Sequence, residues 1–128
     1  MNVLIDTHAL LWFFLGDTRL SKRARKIIES DKTTCVLSDA SLWEISIKQS
    51  IGKLELAEPF DSRLTAALQR NAIEVMPIRR THLFGVARLP FHHRDPFDRL
   101  LISAAMVENL TIITDGAAFT KYDVNLAW

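Results

Sequence analysis

Short apolar runs and longer amphipathic segments alternate along the chain. The apolar runs predict strands at residues 2–6, 34–37, 74–78 and 110–114, with a last edge strand at 124–128. Helical periodicity and helix-end signals predict helices at residues 8–15, 21–30, 38–51, 59–72, 80–89 and 96–108. Strands that alternate with helices are typical of βαβ units, with a parallel sheet between two layers of helices. We therefore predict a single α/β domain over residues 1–128.

The composition narrows the class of protein. The chain has 128 residues, of which 48% are hydrophobic and 24% charged, which suits one globular domain and argues against disorder. A net charge of +1 provides no overall basic field, so binding to nucleic acid would need a local patch. The single cysteine, Cys35, lies in an apolar run and is expected to be an inert core residue in a reducing compartment. The longest apolar run, residues 9–15, is far shorter than the ~20 residues of a membrane span, and the N-terminus has no basic leader. We expect a cytoplasmic protein that does not contact a membrane.

Several common motifs are absent from the sequence. The four glycines form neither a dinucleotide-binding fingerprint nor a P-loop, and there is no G-x-S-x-G elbow for acyl transfer. His92 and His93 have no cysteine or further histidine nearby, which makes a zinc site unlikely to form and favours a solvated loop pair. Asp6 is followed by Thr7 and His8, whereas the haloacid dehalogenase type of phosphatase needs a second aspartate two residues on. A phosphatase on a similar sheet is therefore disfavoured.

Four carboxylates occupy positions where α/β sheets carry their sites: Asp6, Glu44, Asp98 and Asp115. Asp6 and Asp115 end predicted strands, and Glu44 and Asp98 lie in the first turns of predicted helices. Ligands of open parallel sheets bind outside the carboxyl ends of the strands, so the four acids can share one edge. Carboxylates that converge repel one another, and a hard divalent cation, Mg²⁺ or Mn²⁺, relieves that repulsion. Metal-assisted hydrolysis of a phosphodiester is the chemistry that suits such a site.

Each acid also has a purely structural interpretation. Asp6 can cap the following helix, and Asp115 with Gly116 can form a turn. Glu44 can complete a capping box with Ser41 or pair with Lys48 one helical turn later, although its neighbours are apolar. Asp98 at the third helical position suits the helix dipole, and Asp95 before Pro96 is predicted to be the N-cap.

Four motifs together resemble a known family. They are VLIDTHALLW (3–12), SDASLWEISIK (38–48), HHRDPFDRLLISAAM (92–106) and TIITDGAAFTKYDV (111–124), each modest alone but specific in this order and at these separations. The chain resembles PIN-domain ribonucleases of the VapC toxin type over essentially its whole length. The resemblance implies an α/β/α sandwich with a central parallel sheet of about four to five strands. It also implies endonucleolytic cleavage of RNA, a homodimer, and inhibition by a partner antitoxin of the VapB type.

The resemblance assigns roles to the acids. It implies that Asp6 is the central metal ligand, that Glu44 and Asp98 complete the site or position the attacking water, and that Asp115 acts more peripherally. Both Asp95 and Asp98 precede the alanine-rich helix, and Asp98 is the better match because the segment 100–105 follows it at the expected distance. Asp95 then supports the site from outside the ligand set.

The remaining candidates concern contacts around the acids. Thr7 and Thr114 flank them and are expected either to hydrogen-bond a metal-bound water or phosphate, or to serve the turn and the strand end. Arg94 and Arg99 neighbour Asp98 and are candidates for RNA phosphate contacts. The apolar helix 9–15 is expected either in the core or lining a groove for an antitoxin helix. The alternative to a nuclease is a PIN-like module that binds RNA or a protein without cutting.

Overall fold

A computed structural model of the chain describes residues 1–57 and 59–128. The helices and strands follow one another in the order β1 (Asn2–Ile5), α1 (Thr7–Leu15), α2 (Lys22–Glu29), β2 (Thr34–Ser38), α3 (Asp39–Ser50), α4 (Phe60–Arg70), β3 (Ile73–Met76), α5 (Arg80–Arg88), α6 (Pro96–Glu108), β4 (Thr111–Ile113) and β5 (Leu126–Ala127). A 3-10 helix, Ala117–Lys121, joins β4 to β5.

The strands form one parallel sheet in the order β3-β2-β1-β4-β5. From β1 the chain adds β2 and β3 on one side, and then returns to add β4 and β5 on the other side. The order of strands therefore reverses at β1, between its neighbours β2 and β4. In open α/β sheets such a reversal leaves a crevice at the carboxyl ends of the strands, where ligands bind.

Alternate residues of β1 enter two separate cores. Val3 and Ile5 pack with the apolar faces of α1 and α2, while Leu4 packs with α6 on the opposite face. Apolar side chains therefore cover both faces of the sheet, as the near-continuous apolar strands of a parallel sheet require. The α/β/α sandwich expected from the sequence is confirmed. Cys35 is buried, as expected, at 2% exposure.

Local chemistry explains most element ends. Asp95 is the N-cap of α6, where its Oδ1 accepts a 2.9 Å hydrogen bond from the backbone N of Asp98, and Pro96 occupies the first turn. Gly16 ends α1 with a φ of 64°, a conformation that glycine adopts without a steric cost. Pro77 follows β3 and has no backbone N–H for a further ladder bond.

Four of the five strands are shorter than the sequence predicts, whereas β2 extends one residue further, to Ser38. β3 begins at Ile73 rather than residue 74 and ends at Met76, and β4 covers only three residues. The 3-10 helix was not predicted, because a five-residue segment is too short to display a helical period. Among the described residues no helix has both the length and the apolar character that crossing a bilayer requires.

Candidate active site

Asp6 lies directly after β1, at the point where the strand order reverses. Its carboxylate is buried at 5% exposure, and its Oδ2 accepts a 2.9 Å hydrogen bond from Oγ1 of Thr114 at the end of β4. Asp6 occupies the N-cap position of α1, but its side chain makes no capping hydrogen bond, so the capping interpretation of this residue is wrong. Burial raises the pKa of Asp6 above its usual value; hydrogen bonds, chiefly that from Thr114, and the charge of His8 oppose the shift, while Glu44 adds to it.

Glu44 projects from the second turn of α3 and is buried at 5% exposure. Its Oε2 forms a 2.8 Å ion pair with Nζ of Lys48, one helical turn later, as the sequence suggested. The capping box with Ser41 is wrong. The helix begins after Ser38, whose hydroxyl caps it by accepting from the backbone N of Ala40, and Glu44 lies beyond the first turn.

Asp98 lies in the first turn of α6, with a side chain that is 26% exposed. Burial, followed by the charges of Asp95, Asp6 and Glu44, raises the pKa of Asp98 to about 7, and the charge of His8 opposes the shift. Like charges raise a carboxyl pKa only when they lie near it in a poorly solvated place. The structure therefore brings Asp6, Glu44 and Asp98 into one electrostatic environment, although they come from three different elements.

Asp115 is placed differently. It follows β4 on the same edge of the sheet, but its side chain is exposed, and its charge is not among those that raise the pKa of Asp98. The neighbouring backbone N of Gly116 donates a 3.0 Å hydrogen bond to Oγ1 of Thr114, the hydroxyl that also contacts Asp6. Within ranges 1–57 and 59–128, no three acidic, histidine or cysteine side chains have the spacing of a preformed metal site. Asp6, Glu44 and Asp98 thus share one electrostatic environment, but they do not form a preformed metal site.

The supporting threonines divide between two tasks. Thr114 touches Asp6 directly, as described above. Thr7 is buried and donates a 2.9 Å hydrogen bond to Oγ of Ser41, which joins the start of α1 to α3. The hydroxyl of Thr7 therefore joins the start of α1, next to Asp6, to α3, which carries Glu44.

The structure does not support Arg99 as a contact for RNA phosphates. Its side chain is buried at 7% exposure, and its guanidinium donates to the carbonyl oxygens of Pro90 and Val86 and to the hydroxyl of Tyr122. Periodicity alone did not reveal this, because residues 99–105 of α6 are all buried and the partners that surround the guanidinium come from other segments of the chain. Arg94, by contrast, is exposed in the loop before α6.

His93 is the residue of the site that the sequence argument missed. It was expected to lie in solvent with His92, and only His92 is exposed. The ring of His93 is half-buried, with Nε2 at 3.3 Å from Oδ2 of Asp98 and Nδ1 at 2.8 Å from the hydroxyl of Tyr122. Its position five residues before Asp98 was the only available signal.

The apolar helix α1 contributes to the core and also lines a cavity at the surface. Ala9, Leu10 and Phe13 belong to the core. Side chains on another side of the helix, among them Phe14 and Leu15, line a cavity of about 370 Å³ together with apolar residues of α4. We call this cavity the α1–α4 groove.

Comparison with known proteins agrees with this architecture. The sequence matches the family model of the PIN domain over residues 3–125. The chain belongs to the PIN domain family, which confirms the family that its motifs indicated. No curated protein matches the sequence significantly.

Three solved structures share the fold over nearly the whole chain. VapBC2 from Rickettsia felis, bound to a DNA fragment from its promoter, is 18% identical with a TM-score of 0.74, covering 99% of this chain and 98% of that one. VapBC-1 from nontypeable Haemophilus influenzae is 15% identical with a TM-score of 0.69, covering 99% and 97%. A toxin–antitoxin complex from Klebsiella pneumoniae is 13% identical with a TM-score of 0.61, covering 98% and 96%. At these identities the likeness concerns the fold.

Proposed function

We propose that this chain is a divalent-metal-dependent endoribonuclease of the VapC type, the toxin of a type II toxin–antitoxin pair. The observation that carries the proposal is the shared environment of Asp6, Glu44 and Asp98 at the carboxyl edge of the sheet, where the pKa of Asp98 reaches about 7. Carboxylates that repel one another in a poorly solvated place are costly unless a cation joins them. Membership of the PIN family and the similarity of the fold to chains in toxin–antitoxin complexes support the assignment.

The donor set fits Mg²⁺ or Mn²⁺. All three acids offer oxygen, and hard cations of this kind prefer oxygen ligands and retain several waters. Asp6, Glu44 and Asp98 would hold the ion, with Asp115 as a more distant contributor. When bound, such an ion supplies a lowered pKa for an attacking water and stabilisation of the charge that develops on the phosphate.

The chain's own residues prepare the site in three ways. Thr114 fixes the carboxylate of Asp6 through its 2.9 Å hydrogen bond. Lys48 pairs with Glu44 in the metal-free chain and would compete with a cation for this carboxylate. Burial and the neighbouring acids raise the pKa of Asp98 to about 7, so a cation would compete with a proton for this carboxyl group.

An aromatic surface beside the acids supports RNA as the substrate. Trp43 precedes Glu44 and is 57% exposed, while Phe97 precedes Asp98. The two rings meet edge to face, with centroids 5.1 Å apart. Exposed aromatic rings bind unpaired bases by stacking, which a small phosphomonoester would not need. Arg94 adds an exposed cation for the RNA backbone.

The α1–α4 groove supports a protein partner. Apolar side chains from both helices line it, Leu15 is 68% exposed, and Arg63 and Arg70 also lie along it. Such a groove suits an amphipathic helix, which lays its apolar face against it. We propose that an antitoxin of the VapB type binds there. A homodimer and a cytoplasmic location complete the proposal.

The alternative is a module that binds RNA or a protein without cutting. The ion pair between Glu44 and Lys48 favours it, because the acid is already neutralised in the absence of metal. The two functions differ in what Asp6→Asn does. A nuclease loses cleavage with this variant and keeps RNA binding, whereas a binding module shows the same RNA binding and no cleavage in both forms.

The test is cleavage of a mixed RNA panel by the purified chain with Mg²⁺, Mn²⁺ or EDTA. Asp6→Asn is compared with Asp31→Asn, which alters an exposed carboxylate in the turn before β2, at the other end of the sheet. We expect metal-dependent cleavage by the wild type and by Asp31→Asn, and none by Asp6→Asn. Equal activity of Asp6→Asn and Asp31→Asn would overturn the proposed site.

A further inference from the structure

A series of hydrogen bonds connects Arg99 in the interior to Asp98 through Tyr122 and His93. Nη1 of Arg99 donates to the hydroxyl of Tyr122 at 3.0 Å. The same hydroxyl lies 2.8 Å from Nδ1 of His93, whose Nε2 lies 3.3 Å from Oδ2 of Asp98. Arg99 and Tyr122 are buried, at 7% and 6% exposure, so this series of hydrogen bonds begins in the interior of the protein.

Arg99 fixes the direction of the first bond. A guanidinium only donates hydrogen bonds, so the oxygen of Tyr122 must be the acceptor. The arginine cannot easily turn away, because it also donates to the carbonyl oxygens of Pro90 and Val86 and lies over the ring of Phe91 at 4.9 Å. The orientation of the tyrosine hydroxyl is therefore set from the interior.

The hydrogen of the Tyr122 hydroxyl then determines which ring nitrogen of His93 carries the proton. Tyr122 is 6% exposed, and a buried hydroxyl hydrogen without an acceptor is costly. The acceptor beside it is Nδ1 of His93, which must be unprotonated to receive the bond. The neutral ring then carries its proton on Nε2, the nitrogen that faces Oδ2 of Asp98.

We propose that His93 is a positioning residue for Asp98, held in its Nε2–H form by Tyr122 and Arg99. Its N–H would fix Oδ2 of the carboxylate and leave Oδ1 available to a divalent cation. Partners of this kind orient metal-binding carboxylates from outside the ligand set. The role of His93 in metal binding rests on the proposed function, whereas the position of the proton on its ring does not.

Four variants separate this role from simple packing. His93→Ala removes the donor, and His93→Gln keeps an N–H that can reach Asp98. Tyr122→Phe removes only the hydroxyl that sets the ring's proton. His92→Gln is the matched control, because its ring also packs against Tyr122, with centroids 4.9 Å apart, but it is exposed.

The first measurement needs neither metal nor activity. Long-range ¹H–¹⁵N NMR on the metal-free chain, at a pH where the ring signals no longer change, identifies which nitrogen of His93 carries the proton. We expect the proton on Nε2 in the wild type and in His92→Gln, and a mixture of both forms in Tyr122→Phe. A proton on Nδ1 in the wild type, or the same mixture in the wild type and Tyr122→Phe, would overturn the inference.

The second measurement is Mn²⁺ binding by calorimetry, with thermal unfolding to verify that each variant is folded. Loss of a partner of this kind weakens metal binding by about 10- to 100-fold, which is the effect expected for His93→Ala. His93→Gln should recover most of the affinity, and Tyr122→Phe should fall between the two. Wild-type affinity in both His93→Ala and His92→Gln would overturn the positioning role while leaving the nuclease intact. A wild type that binds no Mn²⁺ would instead overturn the proposed function and, with it, the positioning role.

Discussion

Thr114 donates a 2.9 Å hydrogen bond from its Oγ1 to Oδ2 of Asp6, joining two residues 108 positions apart. The bond joins the carboxyl ends of β4 and β1, which are neighbours in the sheet. The order of strands reverses at β1. The same hydroxyl accepts from the backbone N of Gly116 and so ties the turn after β4 to the buried carboxylate. One side chain thus connects the topology of the sheet to the geometry of the candidate metal site.

Removing this hydroxyl should destabilise the chain most when Asp6 is ionised. Thr114→Val leaves the buried carboxylate without a donor that favours its charged form, so the pKa of Asp6 should rise further. A hydrogen bond to a charged group contributes about 1.5–3 kcal/mol, and we expect a loss of that size near pH 8 in EDTA. Urea unfolding measures it, with Thr114→Ser as the control that keeps the hydroxyl. Equal stability of the two variants would show that the bond contributes nothing.

The stability of the metal-free chain should fall as pH rises towards neutral. The pKa of Asp98 is about 7 in the folded chain and 3.8 ordinarily, so the folded state holds this proton more tightly than the unfolded state. The favourable contribution is complete below about pH 4, declines through about pH 7 and is absent above it. The full difference corresponds to about 4 kcal/mol, which partial exposure to water reduces to on the order of 2 kcal/mol. The raised pKa of Asp6 acts in the same sense.

Asp98→Asn tests this account. The variant should be more stable than the wild type near pH 8 in EDTA, by on the order of 2 kcal/mol, and the two should converge as the pH falls to about 4. It should also gain less stability from added Mg²⁺, since a ligand that binds only the folded state stabilises it in proportion to its affinity. If Asp98→Asn is instead less stable than the wild type at pH 8, the charge of Asp98 serves the helix dipole.

The sequence was most informative where a function depends on topology. Asp6 could be placed at the site because it ends a predicted strand, and parallel sheets bind ligands at that edge. Asp95 and Pro96 predicted the start of α6 from local rules of capping, which need no knowledge of the rest of the fold. Both inferences use only the order of residues and the type of element.

The parts that could not be predicted depend on contacts between distant residues. His93 meets Tyr122 across 29 positions, and only the packed fold shows that this ring is half-buried rather than solvated. Arg99 was predicted to contact RNA phosphates because it neighbours Asp98, yet carbonyl oxygens and a hydroxyl satisfy its guanidinium in the interior. Ser41 fits a capping box by its spacing, but Ser38, the last residue of β2, is the residue that caps the helix.

Lys48 should compete with the metal for Glu44. Their ion pair measures 2.8 Å, with Glu44 buried and Lys48 partly exposed. Lys48→Met leaves a buried carboxylate unpaired, so we expect a loss of about 1–3 kcal/mol in EDTA. Added Mg²⁺ should stabilise Lys48→Met more than the wild type, because Glu44 no longer has to release its partner.

Thermal unfolding with and without Mg²⁺ measures both effects. The double variant Glu44→Gln/Lys48→Met serves as the control, since it has neither charge and should show neither the loss nor the added response. A double-mutant cycle then isolates the energy of the pair. A smaller response to Mg²⁺ in Lys48→Met than in the wild type would mean that Lys48 assists metal binding.

Trp43 should contribute to RNA binding more than to the chemical step. The ring is 57% exposed, next to Glu44 and edge-on to Phe97, so an unpaired base can stack on it without moving the acids. Stacking of one base is worth about 1–3 kcal/mol, so Trp43→Ala should raise KM for RNA roughly 5- to 150-fold with a smaller change in kcat. Trp43→Phe should recover part of the affinity. Phe84→Ala, which removes an exposed aromatic ring from α5, is the control and should leave KM unchanged.

Sedimentation of the same variants tests the opposing explanation, in which Trp43 is a contact between subunits. If Trp43→Ala converts a dimer to a monomer and Phe84→Ala does not, Trp43 is a subunit contact and its exposed ring is not a platform for RNA.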